Sequence, residues 1–534
     1  MTGFNKRELL KAGAAGLAAG ELFFGLSPLA TGSITALAQS PKRGGAVRAV
    51  VHPEPSSLML GLVQNTPTQM VAGSIYESLL KYGHDLKPIP SLAERWEISG
   101  DGKAYTFHLK RNVKWHDGKP FTADDVVFST DVFLRELHPR WRPVATTHVE
   151  RIEKLDDFTV RYQLKNPFGP FILMFELSTT PIVPKHLYAG TDYKTNPNNN
   201  TPVGTGPFKL AEWTRGSHIK LTRNPDYHVQ GLPYLDEIYW QIIPDAAARV
   251  VAYETGAVDI LTGGTVENFD VAKLAKMKNT AVTGKGWEMI APLSWLWFNH
   301  RQGLMAKKSF RQAVMYGMDR EFAKDVIWNG LARLATGPVS SKTRFYSDKV
   351  AAYGFDPAKA KALLKESGYK GEPIRLLALP YGEAWTRWAE AVKQNLTDIG
   401  MNIQLVTTDV AGYGQRLSDW DFDVAFTWLS QFGDPALGVA RTYVSSNIAK
   451  GSPWNNVAGY SNPEVDRLFA EAAAANGDAA RQELYTKVQQ ILVEDLPVAW
   501  MLELEFPTIY RSNFNNLIKT ATGMNDAFQD AWKA

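Results

Sequence analysis

The sequence predicts an α/β protein of two lobes, and three observations lead to that prediction. Stretches with the period-two alternation of strands are interleaved with capped helical stretches along the chain. The chain of 534 residues is too long for one small domain. With 45% hydrophobic and 21% charged residues, it is also too apolar for a disordered chain. No internal repeat is visible, so the pattern does not indicate a solenoid.

The strand predictions rest on alternation of apolar and polar side chains. Residues 46–52 and 106–110 alternate in this way, and residues 159–164 do so more cleanly. Residues 419–423 alternate Asp with aromatic residues, and we interpret them as a strand edge rather than as a pair of catalytic acids. These strands are short, as expected for sheets whose strands are separated by helices.

The helix predictions rest on start and stop signals. Thr122 is placed to cap a helix that carries two Asp residues in its first turn, where the helix dipole favours negative charge. Pro357 opens a helix over residues 358–367, which a glycine then ends. Two longer helices are predicted over residues 463–475 and 479–494.

Composition and missing motifs exclude several kinds of function. A formal charge of +3, from 58 basic and 55 acidic residues, gives no broad attraction to nucleic acid. The absence of cysteine removes disulfides, thiol nucleophiles and Cys-ligated metals. The sequence holds no Gly-x-Ser-x-Gly elbow, no His-Glu-x-x-His motif and no phosphate-binding Gly-rich loop, and its ten His are scattered. We therefore expect a binding protein without catalytic residues, cofactor, metal site or nucleic-acid partner.

The N-terminus is predicted to be a signal peptide over residues 1–38. Lys6, Arg7 and Lys11 precede an Ala/Gly/Leu-rich run that ends near a small-x-small step at 36–38. Residues 5–11 also resemble a twin-arginine export motif with Lys in place of the first Arg, so general secretion and twin-arginine export both stay open. With no cysteine for lipidation, we expect a periplasmic protein that is not a lipoprotein.

Several segments carry a family resemblance. Residues 90–96 (PSLAERW), 101–110 (DGKAYTFHLK) and 113–126 (VKWHDGKPFTADDV) closely resemble the signature of the peptide/nickel class, family 5, of ABC-transporter solute-binding proteins. Residues 203–208 (VGTGPF) and 460–466 (YSNPEVD) follow in family order. The resemblance is to dipeptide- and oligopeptide-binding members and covers almost the whole chain after residue 38.

The resemblance implies a periplasmic binding protein fold, of the class with an extra inserted domain, whose two lobes close around a ligand by hinge motion. Lobe I is expected over residues 39–83, 207–285 and 505–534, the inserted domain II over 84–206, and lobe II over 286–504. The protein is then expected to be a monomer that delivers a small solute to an ABC permease in the inner membrane. A receptor or chaperone-like role on the same fold and an exported hydrolase are the alternatives.

The resemblance also suggests where the ligand binds. It places pocket residues on an early loop of lobe I and on segments of lobe II. Trp295 and Trp297 alternate onto one strand face, so they either fill the core or line the pocket. Arg387 is either a solvated helix charge or the partner of a ligand carboxylate. The remaining residues of the predicted set are Gln64, Asn65, Thr66, Trp428 and Gln431.

Gln431 is the most informative member of this set. In dipeptide and oligopeptide binders similar to this chain, an Asp three residues after the equivalent of Trp428 neutralises the ligand's α-amine. Here Gln431 stands at that position, and it supplies no charge for a buried cation. We therefore expect Gln431 to contact the polar end of the ligand. The expected ligand is a modified peptide, an opine-like conjugate, an oligosaccharide or another neutral polar solute rather than an ordinary free-amine peptide.

Overall fold

The computed structural model describes residues 40–534 of the chain. The predicted signal peptide, residues 1–38, lies outside the described residues. Within residues 40–534, no helix combines the length and the apolar character that crossing a membrane requires.

A mixed seven-stranded sheet draws its strands from widely separated parts of the chain. Its centre is the strand Ala46–Val51, which pairs in parallel with Glu237–Ile242 and with Ile260–Leu261. The spatial order of the sheet is Thr280–Thr283, Thr508–Arg511, Ile260–Leu261, Ala46–Val51, Glu237–Ile242, His218–Arg223 and Phe208–Thr214. One sheet therefore joins strands that lie more than four hundred residues apart in sequence.

A second mixed sheet has six strands. The spatial order is Ala332–Leu334, Val498–Leu504, Leu293–Phe298, Val424–Leu429, Pro373–Leu377 and Asn402–Val406. Every residue of Leu293–Phe298 and of Val498–Leu504 is buried, because helices cover both faces at the centre of the sheet.

A third, antiparallel sheet has four strands, in the order Ala93–Ile98, Ala104–Leu109, Thr159–Leu164 and Val149–Asp156. Side chains of Ala104–Leu109 are buried at alternate positions, as expected for a sheet with one face on the core. Two further antiparallel pairs of short strands are Leu80–Tyr82 with Pro88–Pro90 and Phe514–Asn515 with Trp532–Lys533.

Helices surround the sheets. The α-helices are Thr66–Ala72, Ala123–Val127, Leu134–Leu137, Trp141–His148, Lys185–Tyr188, Ala246–Glu254, Asn268–Leu274, Lys308–Gly317, Arg320–Phe322, Pro357–Glu366, Glu383–Asp398, Val410–Asp419, Pro435–Gly438, Ala440–Tyr443, Pro463–Ala474 and Asp478–Asp495. Turns of 3₁₀ or π geometry occupy Phe128–Phe133, Gly169–Phe175, Pro197–Asn199, Ala323–Ile327, Ser445–Asn447 and Gly523–Asp526.

The local start signals are confirmed. The helix after Thr122 begins at Ala123, and the Asp125 carboxylate accepts the Thr122 N–H at 3.0 Å. Pro357 is the first residue of its helix, and Asp356 caps it by accepting the Lys359 N–H at 2.9 Å. The two longer predicted helices are also present, within one residue at each end.

The interpretation of residues 419–423 as a strand edge is wrong. The helix Val410–Asp419 ends there, and Trp420 adopts a left-handed backbone with a φ of 62° that turns the chain. The carboxylates of Asp421 and Asp423 both pair with Arg375. The acidic residues therefore follow a helix cap, and the strand begins only at Val424.

The buried apolar side chains form two large cores. One gathers residues from 47 to 289 and from 514 to 531, around the seven-stranded and four-stranded sheets. The other gathers residues from 293 to 504, around the six-stranded sheet. A small third cluster packs the helix Ala246–Glu254 against the seven-stranded sheet. The chain crosses between the two large cores at residues 289–293 and again between residues 504 and 514.

Candidate functional site

The loop that follows the strand Val424–Leu429 lies where the chain crosses between the two cores. The Gln431 N–H donates to the carbonyl of Ile290, in the crossing segment, at 2.7 Å. Phe432 has a φ of 53°, a left-handed conformation that costs a non-glycine residue about 1–2 kcal/mol, and Gly433 follows with a φ of 72°. Neighbouring contacts therefore hold this loop in a strained shape at the boundary between the cores.

A cation–π contact joins the two sides of this boundary. The Arg140 guanidinium, which belongs to the side of the four-stranded sheet, lies 3.7 Å from the centroid of the Phe432 ring. Arg140 also pairs with buried Glu176 at 3.2 Å. Burial lowers the pKa of Arg140, and the Glu176 carboxylate opposes that effect. A second guanidinium, that of Arg441, lies 5.3 Å from the same ring.

The Gln431 side chain is buried and binds a neighbouring loop. Its Oε1 accepts the Ser340 N–H at 2.9 Å, and its Nε2 donates to the Pro338 carbonyl at 2.9 Å. Both ends of the carboxamide thus hold residues 338–340. The expectation that Gln431 contacts a ligand stays a prediction. In the structure, the Gln431 side chain positions residues 338–340.

Ser340 connects Gln431 to a buried carboxylate. The Ser340 Oγ donates to Glu503 Oε2 at 3.2 Å, and the Ser341 hydroxyl donates to the same oxygen. Glu503 is 4% exposed, and its Oε1 has no hydrogen-bond partner in the described part of the chain. The sequence reasoning missed this residue. Its signal was an acidic residue within an otherwise apolar run, Val498–Leu504.

Asp434, three residues beyond Gln431, is neutralised inside the protein. Its Oδ1 accepts the Arg481 Nη2 at 2.9 Å, and the two side chains are 0% and 3% exposed. The same oxygen accepts the Ala436 N–H at 3.0 Å and so caps the helix Pro435–Gly438. Asp434 therefore ties the loop to the helix Asp478–Asp495.

Aromatic rings line the boundary next to this loop. Phe506 lies 5.9 Å from Trp428, 5.2 Å from Trp287 and 6.2 Å from Trp328, measured between ring centroids. Trp428, Trp287 and Phe506 are only partly buried. We call these four residues the Phe506 cluster. Such rings offer a flat apolar surface to a solute that enters between the two cores.

The predicted early-loop residues make local hydrogen bonds. Asn65 caps the helix Thr66–Ala72 by accepting the Thr68 N–H at 2.9 Å, and Asn65 and Thr66 are exposed. Gln64 donates to the carbonyl of Leu60. Among the described residues, no hydrogen bond joins these three side chains to the core that contains residues 293–504.

Trp295 and Trp297 share a strand face, as predicted. Their rings meet edge to face at 5.8 Å, and they are 3% and 0% exposed. Of the two roles left open, this burial favours core packing. Arg387, on the helix Glu383–Asp398, is exposed, and its side chain forms no hydrogen bond or ion pair with any residue from 40 to 534.

Within residues 40–534, no group of three or more His, Asp or Glu side chains is arranged to bind a metal ion. Individual His side chains bond to the backbone instead: His116 Nε2 lies 3.0 Å from the carbonyl oxygen of Gly206, and His138 Nε2 lies 3.0 Å from that of Ser178. The candidate site thus contains hydrogen-bonding groups, aromatic rings and the Glu503 carboxylate, which has no ion-pair partner among the described residues.

Comparison with known proteins identifies the family. Residues 87–451, more than half of the chain, match the model of "Bacterial extracellular solute-binding proteins, family 5 Middle". The chain is 29% identical over 437 residues to the dipeptide-binding protein of Escherichia coli K12, covering 77% of this chain and 79% of the relative. It is 30% identical over 454 residues to the glutathione-binding protein GsiB of Salmonella choleraesuis, covering 81% and 84%.

A solved structure extends the likeness to the fold. The periplasmic binding protein AgaA of A. tumefaciens R10, in complex with agropinic acid, matches with a TM-score of 0.77 at 28% identity, over 92% of this chain and 99% of that chain. The predicted periplasmic binding protein fold and the family resemblance are thus confirmed. The chain belongs to family 5 of the bacterial extracellular solute-binding proteins, the solute-capturing components of ABC importers.

Proposed function

We propose that this protein captures a peptide-like solute, a short peptide or an opine-like amino-acid conjugate, between its two lobes in the periplasm. As a monomer it then presents the closed complex to an ABC permease in the inner membrane. The names of several relatives support this class, because dipeptides, glutathione and agropinic acid are all amino-acid derivatives. An oligosaccharide is the less favoured of the predicted ligands.

The proposed lobes follow the predicted boundaries: residues 39–83, 207–285 and 505–534 for lobe I, 84–206 for the inserted domain and 286–504 for lobe II. The seven-stranded sheet supports this division, because it combines strands from all three lobe I segments. The two large hydrophobic cores support it as well, because the chain crosses between them close to residues 286 and 505.

The observation that carries the proposal is the loop from Trp428 to Asp434 at the boundary between the cores. Arg140, from the inserted domain, contacts Phe432 of this loop, so the inserted domain meets lobe II here. Trp428, at the start of this loop, lies 5.9 Å from Phe506 between ring centroids, and both rings are partly exposed. Closure of two lobes over such a site excludes water and strengthens each polar contact to a bound solute.

Trp428 and the segment held by Gln431 form the proposed site. Contacts from Gln64, Asn65, Thr66 and Arg387 remain predictions that would require these exposed or partly exposed side chains to reach the solute after closure. Trp295 and Trp297 are proposed to support the site from the core.

Thermal-shift titration tests the solute class. Tri-alanine, agropinic acid and maltotriose are each added to the purified protein, because a compound that binds only the folded state raises its melting temperature. We expect tri-alanine or agropinic acid to raise it, and the Trp428→Ala variant to lose most of the rise. Trp213→Ala removes a partly exposed indole on the strand Phe208–Thr214 and serves as the matched control.

A rise with maltotriose alone would contradict the amino-acid class. Mass spectrometry of the probes after incubation tests whether the protein only binds. We expect each probe to be recovered unchanged, and enzymatic cleavage of tri-alanine would contradict a pure binding role.

A further inference from the structure

We propose that Glu503 is the anionic group of the solute site and that it binds a cationic nitrogen of the solute. This inference rests on the proposed function and deepens it, because it names the charge that the solute carries. Glu503 is the penultimate residue of the buried strand Val498–Leu504, shortly before the chain crosses to the other core. The next residue, Leu504, donates its N–H to the carbonyl of Pro292 in the other crossing segment at 2.9 Å.

The hydrogen bonds around Glu503 use only one of its two oxygens. Ser340 and Ser341 both donate to Oε2, whereas Oε1 is buried with no partner in the described chain. The hydroxyls fix the orientation of the carboxylate and supply no charge. One acceptor oxygen of Glu503 is therefore left without a hydrogen-bond donor among the described residues, next to the segment that Gln431 holds.

No ion pair to this carboxylate forms among the described residues, because no Lys, Arg or His nitrogen there lies within 4.0 Å of Glu503. Arg333, opposite Glu503 on the neighbouring strand, is exposed, and Lys342 pairs with Glu505 at 3.3 Å. A buried charge without a counter-ion costs several kcal/mol. Ser340, Ser341 and Glu503 thus form a niche whose missing component is a cation from outside.

The niche is connected to the candidate loop Trp428–Asp434 through hydrogen bonds. Ser340 donates its N–H to Gln431 and its hydroxyl to Glu503, so a single residue joins the two side chains. Gln431 is neutral and its carboxamide is already engaged. At this end of the site the charge therefore comes from Glu503, on a different strand. A solute with an ammonium group fits the niche, whereas a neutral sugar leaves the carboxylate unpaired.

Calorimetric titration with a matched pair of probes tests the inference. Tri-alanine carries a cationic terminal ammonium, which acetylation converts into a neutral amide in N-acetyl-tri-alanine. We expect the wild-type protein to bind tri-alanine at least about 30-fold more tightly, as for other buried charge pairs. Glu503→Gln should bind the two probes with similar affinity. Glu505→Gln, two residues along the chain and more exposed, should discriminate like the wild type.

Equal discrimination by Glu503→Gln and the wild type would overturn the inference. The melting temperature of the solute-free protein provides a second measurement that does not depend on the probe. It should be unchanged or raised in Glu503→Gln, because the uncompensated charge is removed. A clear fall, or a variant that does not fold, would make Glu503 a structural residue and overturn the inference.

Failure of the proposed function gives a different result. If neither probe binds the wild-type protein, the assignment to peptide-like solutes is wrong. The solute-free melting temperature then decides the inference about Glu503 alone: a rise in Glu503→Gln supports an unbalanced carboxylate, and a fall contradicts it.

Discussion

Replacement of Arg481 by Met is expected to destabilise the protein strongly, because it leaves the Asp434 carboxylate buried without a cation. The pair is 2.9 Å long, and neither side chain is more than 3% exposed. The second oxygen of Asp434 already has no hydrogen-bond partner within residues 40–534. Removal of one partner from such a pair typically costs about 3–5 kcal/mol in the free energy of unfolding.

The double variant Asp434→Asn/Arg481→Met separates the charge effect from lost packing. It contains no unpaired charge, so we expect it to recover most of the stability that Arg481→Met loses. Urea denaturation followed by tryptophan fluorescence measures all three proteins. If the double variant is as unstable as the single one, the Asp434–Arg481 pair does not act through charge, and the reasoning that gives Asp434 an internal partner is refuted.

Three further predictions concern pH and the loop. Burial and, to a smaller degree, Arg140 lower the pKa of His138 to about 3, and its neutral Nδ1 accepts the Trp141 N–H at 3.0 Å. Since the folded pKa lies below that of the unfolded chain, this contribution to stability is complete above about pH 6.5. It is lost as the pH falls, by up to about 1.4 kcal/mol per pH unit. Urea denaturation at pH 7 and pH 4.5 should show this loss in the wild type, and His138→Gln should show a smaller one. Phe432→Ala removes the cation–π contact with Arg140, so the affinity for the best probe should fall by up to about tenfold, and an unchanged calorimetric affinity would mean that closure does not use this contact. Gln431→Ala should weaken the affinity for the same probe because it releases residues 338–340, and unchanged binding would end its assignment to the site.

Local signals were readable from the sequence. Caps and first-turn prolines, as at Thr122 and Pro357, act within a few residues, so the helices begin where predicted. The family resemblance supplied the fold, because its motifs extend along the chain. Residues 419–423 misled the interpretation because alternation over five residues does not distinguish a strand from a helix cap followed by a turn.

Contacts between segments that lie far apart in the chain could not be predicted from the sequence. The strand Ala46–Val51 pairs with Glu237–Ile242, and Glu503 meets Ser340 across more than 160 residues. Such pairs depend on packing that no local pattern encodes. The sequence shows that position 431 carries no charge, but it could not show that Ser340 connects Gln431 to a carboxylate on another strand.

A crystal structure of the protein with the solute that co-purifies with it tests the central claim most directly. The account predicts an amino-acid derivative between the two lobes, packed on the Phe506 cluster, with a cationic nitrogen about 3 Å from Glu503 Oε1. A solute bound away from the loop Trp428–Asp434, or one that places a neutral or anionic group against Glu503, would contradict it.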